Sequence, residues 1–142
     1  MKDKNILITG GASGYGYGTA RVLKEAGANI WIMGRRLERL KKVAAELNIN
    51  YIPGDITVSE DWDSAFAIMD NQIDVLINNA GWGVKVEPLT NYSDSEIRQA
   101  INTNLTGAIL GCRRAAKLMQ EKQSGLIINI SSICAHYAWP GF

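Results

Sequence analysis

The sequence predicts an α/β fold, a doubly wound parallel sheet of strand order 3-2-1-4-5 that is incomplete at its C-terminal side. Two observations carry the prediction. Five short apolar runs alternate with segments of helical period, the pattern of parallel strands joined by right-handed crossovers. The first run leads through a glycine-rich turn straight into the first helical segment, a strand–turn–helix start.

Each element follows in order. Ile6-Leu7-Ile8 is the first strand, and Ala20, Leu23 and Ala26 give the first helix an apolar face that stops at Gly27, a helix C-terminal signal. Ile30-Trp31-Ile32-Met33 is the second strand. Leu37, Leu40, Val43, Ala44 and Leu47 recur at helical spacing, and Tyr51-Ile52-Pro53 is a short third strand ending at Gly54-Asp55. Thr57-x-x-Glu60 has the form of a capping box for a third helix carrying Trp62, Ala65, Phe66 and Met69 at i, i+3, i+4 and i+7. Asp74 to Asn78 is the fourth strand. After an aperiodic loop from Gly81 to Tyr92, Ser93-x-x-Glu96 opens a long helix reaching about Gln123. Its apolar stripe, from Ile97 through Ile101, Leu105 and Ile109 to Met119, contains Asn104. Leu126 to Ile130 is the fifth strand, apolar on both faces as a buried parallel strand is. About ten residues follow Ser132, broken by Pro140-Gly141, too few for a covering helix, so residues 1–142 read as one domain without its last part.

Composition narrows the function. A chain of 142 residues can bury a core of one domain. Fifteen basic against fourteen acidic residues leave a net charge of +1, which argues against nucleic acid or an anionic membrane and favours small-molecule chemistry. Cys112 and Cys134 have no metal-ligand or C-x-x-C spacing, and with His136 as the single histidine no protein-built metal site is expected. The cysteines read as free thiols of a reducing compartment. With no apolar leader and no 18-residue apolar stretch, the expected location is cytoplasmic.

The turn Thr9-Gly10-Gly11-Ala12-Ser13-Gly14-Tyr15-Gly16 suits a phosphate. Glycine permits close approach of the backbone, and the free N–H groups and dipole of a helix N-terminus favour an anion. A turn of purely structural purpose is the other reading, because the spacing is not G-x-G-x-x-G and no Lys-Ser/Thr pair follows. Asn104 has two readings as well. A polar side chain within an apolar stripe needs a hydrogen-bond partner, which makes it either a satisfied core asparagine or a functional one.

The set Thr9-Gly10-x-x-x-Gly14-x-Gly16, Asp55, Asn78-Asn79-Ala80-Gly81, Asn104 and Ile130-Ser131-Ser132, in this order over the whole chain, resembles the short-chain dehydrogenase/reductase family with its Rossmann-like fold. The resemblance implies an NAD(P)-dependent oxidoreductase that interconverts an alcohol and a ketone or aldehyde. It implies that Gly10, Ser13, Gly14, Tyr15 and Gly16 hold the pyrophosphate, that Asp55 and Ile56 border the adenine, and that Asn79, Ala80 and Gly81 approach the ribose. Asp55, Asn79 and their neighbours also fit plain turns. By the same resemblance Asn104 distorts its helix and anchors a water of the proton relay, and Ser132, rather than Ser131, donates to the substrate oxygen. Trp82, His136, Tyr137 and Trp139 stand near the substrate.

One departure matters. The family's Tyr-x-x-x-Lys is absent, since no tyrosine has lysine four residues later. Its place falls just past Phe142, so the chain as given is expected to be inactive. In the family the second strand ends on an acidic residue when NAD is preferred; here Gly34 stands there, followed by Arg35 and Arg36, whose guanidinium forks suit a 2′-phosphate. NADP is therefore expected over NAD, the alternative being a solvated basic helix face. The long helix resembles the family's pairing surface, implying a homo-oligomer, dimer or tetramer, in the intact protein. The rival reading is a non-catalytic nucleotide-binding or interaction protein that ends at Phe142.

Overall fold

In a computed structural model, which describes residues 1–83 and 85–137, five parallel strands run in the order β3-β2-β1-β4-β5. The strands are β1 (Asn5–Thr9), β2 (Asn29–Gly34), β3 (Asn50–Pro53), β4 (Val75–Asn78) and β5 (Leu126–Asn129). The helices between them are α1 (Gly14–Glu25), α2 (Leu37–Leu47), α3 (Ser59–Ile68), α4 (Asp94–Ile101) and α5 (Gly107–Glu121). The expected strand order and alternation are both present. Trp139 and Pro140-Gly141 lie outside the described residues.

The pleat divides the core in two. Ile6 and Ile8 of β1 point to one face, where they meet Ile30, Ile32 and Val75, Ala20 of α1, and Leu40 and Val43 of α2. Leu7 points to the other, with Leu76, Met33 and Ile52, and is covered by Trp62, Ala65 and Phe66 of α3 and by Ala115 and Met119 of α5. Trp62 is fully buried and donates its indole N–H to the Ile56 carbonyl at 2.8 Å, so this large ring leaves no orphaned donor. At the opposite end of β1 from the glycine turn, Asp74 accepts from the Asn5 N–H (2.9 Å) and pairs with Lys122 (3.0 Å). Burial pushes the Asp74 carboxyl up, but these partners together with Lys4 outweigh it and hold it below its ordinary range.

Two sequence expectations about the helices need correction. The Thr57–Glu60 capping box does not form: α3 starts at Ser59 with Val58 as N-cap, and the Thr57 N–H that a capping Glu60 would accept is donated to Asp55 Oδ1 at 2.9 Å, as is the Thr57 hydroxyl proton. The box at Ser93 and Glu96 does form, and Lys85, followed by the Ser93 N–H and hydroxyl, draws the Glu96 carboxyl down to about 2.

The second correction concerns the long helix, which is broken between α4 and α5 by one π-helical stretch, Asn102–Thr106. Its buried face is Gly107, Gly111, Ala115 and Met119, so of the stripe only the end at Met119 is buried; Ile101, Leu105 and Ile109 are 52, 56 and 55% exposed. Small residues face inward because the neighbours leave no room. A Cβ on Gly111 would lie 2.4 Å from the Trp62 ring, and one on Gly107 2.7 Å from Ile56.

β5, expected without a covering helix, is accordingly an edge strand, paired among the described residues with β4 alone and with Leu126 and Asn129 exposed. No element follows it to cover the sheet among the described residues.

Candidate functional site

The strand order places a crevice at the carboxyl ends of β1 and β4, where successive connections leave toward opposite faces of the sheet. A cleft of about 560 Å³ lies there. Its walls include Gly10, Ser13 and Tyr15 from the glycine turn, Arg35 and Arg36 after β2, Asp55 and Ile56 after β3, and Asn79, Ala80 and Gly81 after β4. Segments far apart in the chain, from Gly10 to Gly81, thus meet in one place.

The glycine turn is held from three sides. The Gly10 N–H donates to the Met33 carbonyl (2.8 Å), and Asn79 Nδ2 donates to the Thr9 carbonyl (2.9 Å). The buried Thr9 hydroxyl accepts from the backbone N–H groups of both Asn79 and Ala80 at 3.0 Å. Arg39 Nε donates to the Ala12 carbonyl at 3.0 Å, pinning α2 to the same turn.

Its glycines serve different ends. Gly10 (φ +66°) and Gly14 (φ +52°) take left-handed backbone angles. Gly16 is a packing glycine, since a Cβ there would stand 2.5 Å from the Gly10 carbonyl oxygen and 2.6 Å from Asn79 Nδ2. Nothing lies within 4 Å of a Cβ on Gly14, so there the left-handed angle and not packing is what glycine supplies.

This cradle fits an anionic dinucleotide. The first intrahelical bond of α1 at this end is made by the Tyr17 N–H to the Ser13 carbonyl (3.2 Å), so the N–H groups of Gly14, Tyr15 and Gly16 have no helical partner. Ser13, the N-cap, makes no side-chain capping bond, and the first turn carries no acidic residue. The helix end therefore presents its positive dipole and free donors without a competing carboxylate. Tyr15 is 88% exposed at the mouth.

Two guanidiniums stand on the rim in different settings. Arg36 Nη2 reaches the Ser13 hydroxyl at 3.5 Å, whereas Arg35 Nη1 lies 3.7 Å from Asp55 Oδ2. Asp55 is itself fixed, by Thr57 on its side chain and by Asp61 Oδ2, which accepts its backbone N–H at 2.6 Å.

Asn104 and Ser132 stand apart from the cleft walls. Asn104 is exposed rather than buried, which corrects its reading as a core position. Its amide answers the need for partners by pairing with backbone instead: Oδ1 accepts the Trp82 N–H (2.7 Å) and Nδ2 donates to the Trp82 carbonyl (3.1 Å), holding the loop after Gly81. Thr103, in the same π-helical stretch, does line the cleft. Ser132 and Ser131 are exposed beyond β5, and the Ser132 hydroxyl accepts the Cys134 N–H at 3.2 Å at the start of a short 3-10 turn. His136 and Tyr137 are exposed on that segment, and Cys112 and Cys134 are free.

Thr9, Arg39 and Asp61 each fix part of the site, yet sequence reasoning gave none of them that role. Thr9 lies next to the glycines and was the one with a local signal; the partners of Arg39 and Asp61 are set by packing.

The parallel order, the cleft at its switch point and the glycine cradle define a doubly wound α/β protein of dinucleotide-binding type. The chain belongs to the short-chain dehydrogenase/reductase family: residues 4–142 match the family described as short chain dehydrogenase. It is 36% identical to a serine 3-dehydrogenase of Agrobacterium fabrum over 96% of this chain and 56% of that protein. It is 30% identical to a probable NADP-dependent dehydrogenase of Haemophilus influenzae, over 99% of this chain and 58% of the relative. The crystal structure of serine dehydrogenase from Escherichia coli superposes with a TM-score of 0.90 at 30% identity, covering 96% of this chain and 66% of that one. The chain thus spans a little over half the length of these curated relatives.

Proposed function

We propose that the protein is the cofactor-binding portion of an NADP(H)-dependent oxidoreductase interconverting a small alcohol and its carbonyl compound. The observation that carries the reading is the cleft itself, lined both by Ser13 and Tyr15 at the N-terminus of α1, where the first N–H groups of the helix have no helical partner, and by Arg35 and Arg36. Two positive features at two points of the cleft suit a ligand with a pyrophosphate and a further phosphate. The similarity to a probable NADP-dependent dehydrogenase supports the choice of NADP, and the two serine dehydrogenases support a small hydroxyl-bearing substrate.

In this reading Gly10, Ser13, Gly14, Tyr15 and Gly16 hold the pyrophosphate, and Asp55 and Ile56 border the adenine. Asn79, Ala80 and Gly81 border the ribose, and Arg35 with Arg36 holds the 2′-phosphate. The nicotinamide, when bound, gives or accepts the hydride. Ser132 orients the substrate oxygen by donating a hydrogen bond from its hydroxyl, and Asn104 steadies the loop after β4 and anchors a water of the proton path. The chain as given lacks a tyrosine–lysine pair at family spacing, so it binds cofactor without turning over substrate. Residues 1–142 form one domain of a cytoplasmic protein. The exposed Ile97, Ile101, Leu105 and Ile109 of α4, α5 and the stretch between them support a homo-oligomer in the longer protein.

Titration of NADPH and NADH against the protein and against Arg35→Ala tests this. NADPH binds more tightly by about 10- to 100-fold, the range of charge-assisted hydrogen bonds, and the substitution removes most of that difference while sparing NADH. Equal affinities in the unsubstituted protein, or equal weakening of both by Arg35→Ala, refute it.

A further inference from the structure

The two rim arginines are unequal in a way the cofactor reading leaves unused. Among the described residues Arg36 meets a neutral hydroxyl, that of Ser13 at 3.5 Å, and is in no ion pair. Arg35 faces a carboxylate, Asp55 Oδ2, at 3.7 Å. The two partners of that ion pair also differ in freedom. Asp55 Oδ1 accepts both the N–H and the hydroxyl of Thr57 at 2.9 Å, and the Asp55 N–H is tied to Asp61 Oδ2 at 2.6 Å, so the carboxylate cannot turn away. The Arg35 side chain is 65% exposed against 30% for Asp55, and makes no other hydrogen bond or ion pair among the described residues. The mobile partner is therefore the arginine, and the fixed one is an acid lining the same cleft.

A phosphate arriving on this rim competes with Asp55 for Arg35. We infer that Asp55 is a specificity-determining residue that acts through Arg35, restraining the preference of the cleft for a 2′-phosphorylated dinucleotide over its unphosphorylated counterpart. The inference rests on the NADP(H) reading above. It treats Asp55 as a positioning residue for Arg35, whatever contact the aspartate makes to the parts common to both dinucleotides, because such a contact cancels when the two affinities are divided.

The test is the ratio of NADPH to NADH affinity, from nucleotide fluorescence titrations of the full chain in four forms: unsubstituted, Asp55→Asn, Arg35→Ala, and both together. Asparagine retains the Oδ1 acceptor that Thr57 uses, and NADH binding reports that the site is still folded; Asp55→Ser replaces it if it is not. The expected result is a rise in the ratio of about two- to fivefold in Asp55→Asn, the range that partly exposed ion pairs support, and no change on adding Asp55→Asn to Arg35→Ala. An unchanged or falling ratio in Asp55→Asn overturns the inference. So does a rise that persists in the Arg35→Ala background, which would place the effect of Asp55 directly on the phosphate. A ratio that Arg35→Ala abolishes but Asp55→Asn leaves untouched sinks the inference alone. A ratio insensitive to Arg35→Ala, or failure of both dinucleotides to bind, sinks the NADP(H) reading along with it.

Discussion

Gly16 and Gly18 lie two positions apart in α1, yet alanine should have opposite effects at them. At Gly16 a Cβ would stand 2.5 Å from the Gly10 carbonyl oxygen and 2.6 Å from Asn79 Nδ2, and the first of these is backbone. Relief requires either α1 to lift from the glycine turn or Asn79 to give up its 2.9 Å bond to the Thr9 carbonyl. Overpacking of this kind costs about 1–3 kcal/mol and a lost internal hydrogen bond about 0.5–1.5 kcal/mol, offset by up to about 1 kcal/mol of helix propensity gained over glycine. The net destabilisation is about 1–3 kcal/mol. At Gly18 nothing lies within 4 Å and φ is not positive, so Gly18→Ala keeps the propensity gain and stabilises by about 0.4–1 kcal/mol. Urea unfolding followed by far-ultraviolet circular dichroism separates them: with a slope of about 2 kcal/mol per molar, the two midpoints should differ by about 1–2 M. Coincident midpoints, or a Gly16→Ala protein more stable than the parent, would refute the packing assignment of Gly16.

Other outcomes follow from the same geometry. Gly111→Ala drives a Cβ to 2.4 Å from the buried Trp62 ring and should destabilise by about 1–3 kcal/mol with a red-shifted tryptophan emission; unaltered emission would show that α5 does not seat as described. The Asp74 carboxyl is held below its ordinary value of 3.8 in the folded state, so its contribution is present above that value and is lost as pH falls through the folded one. Asp74→Asn should accordingly lower stability at neutral pH and flatten the acid limb below about pH 3.8, whereas parallel pH profiles for parent and variant would contradict the ion-pair account. In a chain carrying the family's C-terminal segment, Ser132→Ala should lower kcat by about 10²- to 10³-fold with cofactor affinity retained, and Ser131→Ala should change neither; comparable loss in Ser131→Ala would move the donor role to that residue.

The sheet and its order were legible because their signals are local and redundant. Five apolar runs, helical spacing between them and a glycine turn each restrict the topology independently, and crossover handedness leaves few alternatives. The cleft-lining positions Gly10, Ser13, Tyr15, Arg35, Arg36, Asp55, Ile56 and Asn79 to Gly81 were all named from the sequence, since strand ends and their following residues are placed by the topology itself. Tertiary structure decided which way a helix faces and which partner a polar atom takes. The stripe of Ile101, Leu105 and Ile109 has the period of a buried face, but the bulk of Trp62 and Ile56 admits only Gly107 and Gly111, and a π-helical stretch intervenes. Asn104 has the place of a stripe residue, yet folding brings it to the Trp82 backbone, which takes both ends of its amide. Periodicity records that a face is apolar, while steric fit between elements distant in sequence determines what covers it; hydrogen-bond competition is likewise settled by the groups that folding brings within 3 Å.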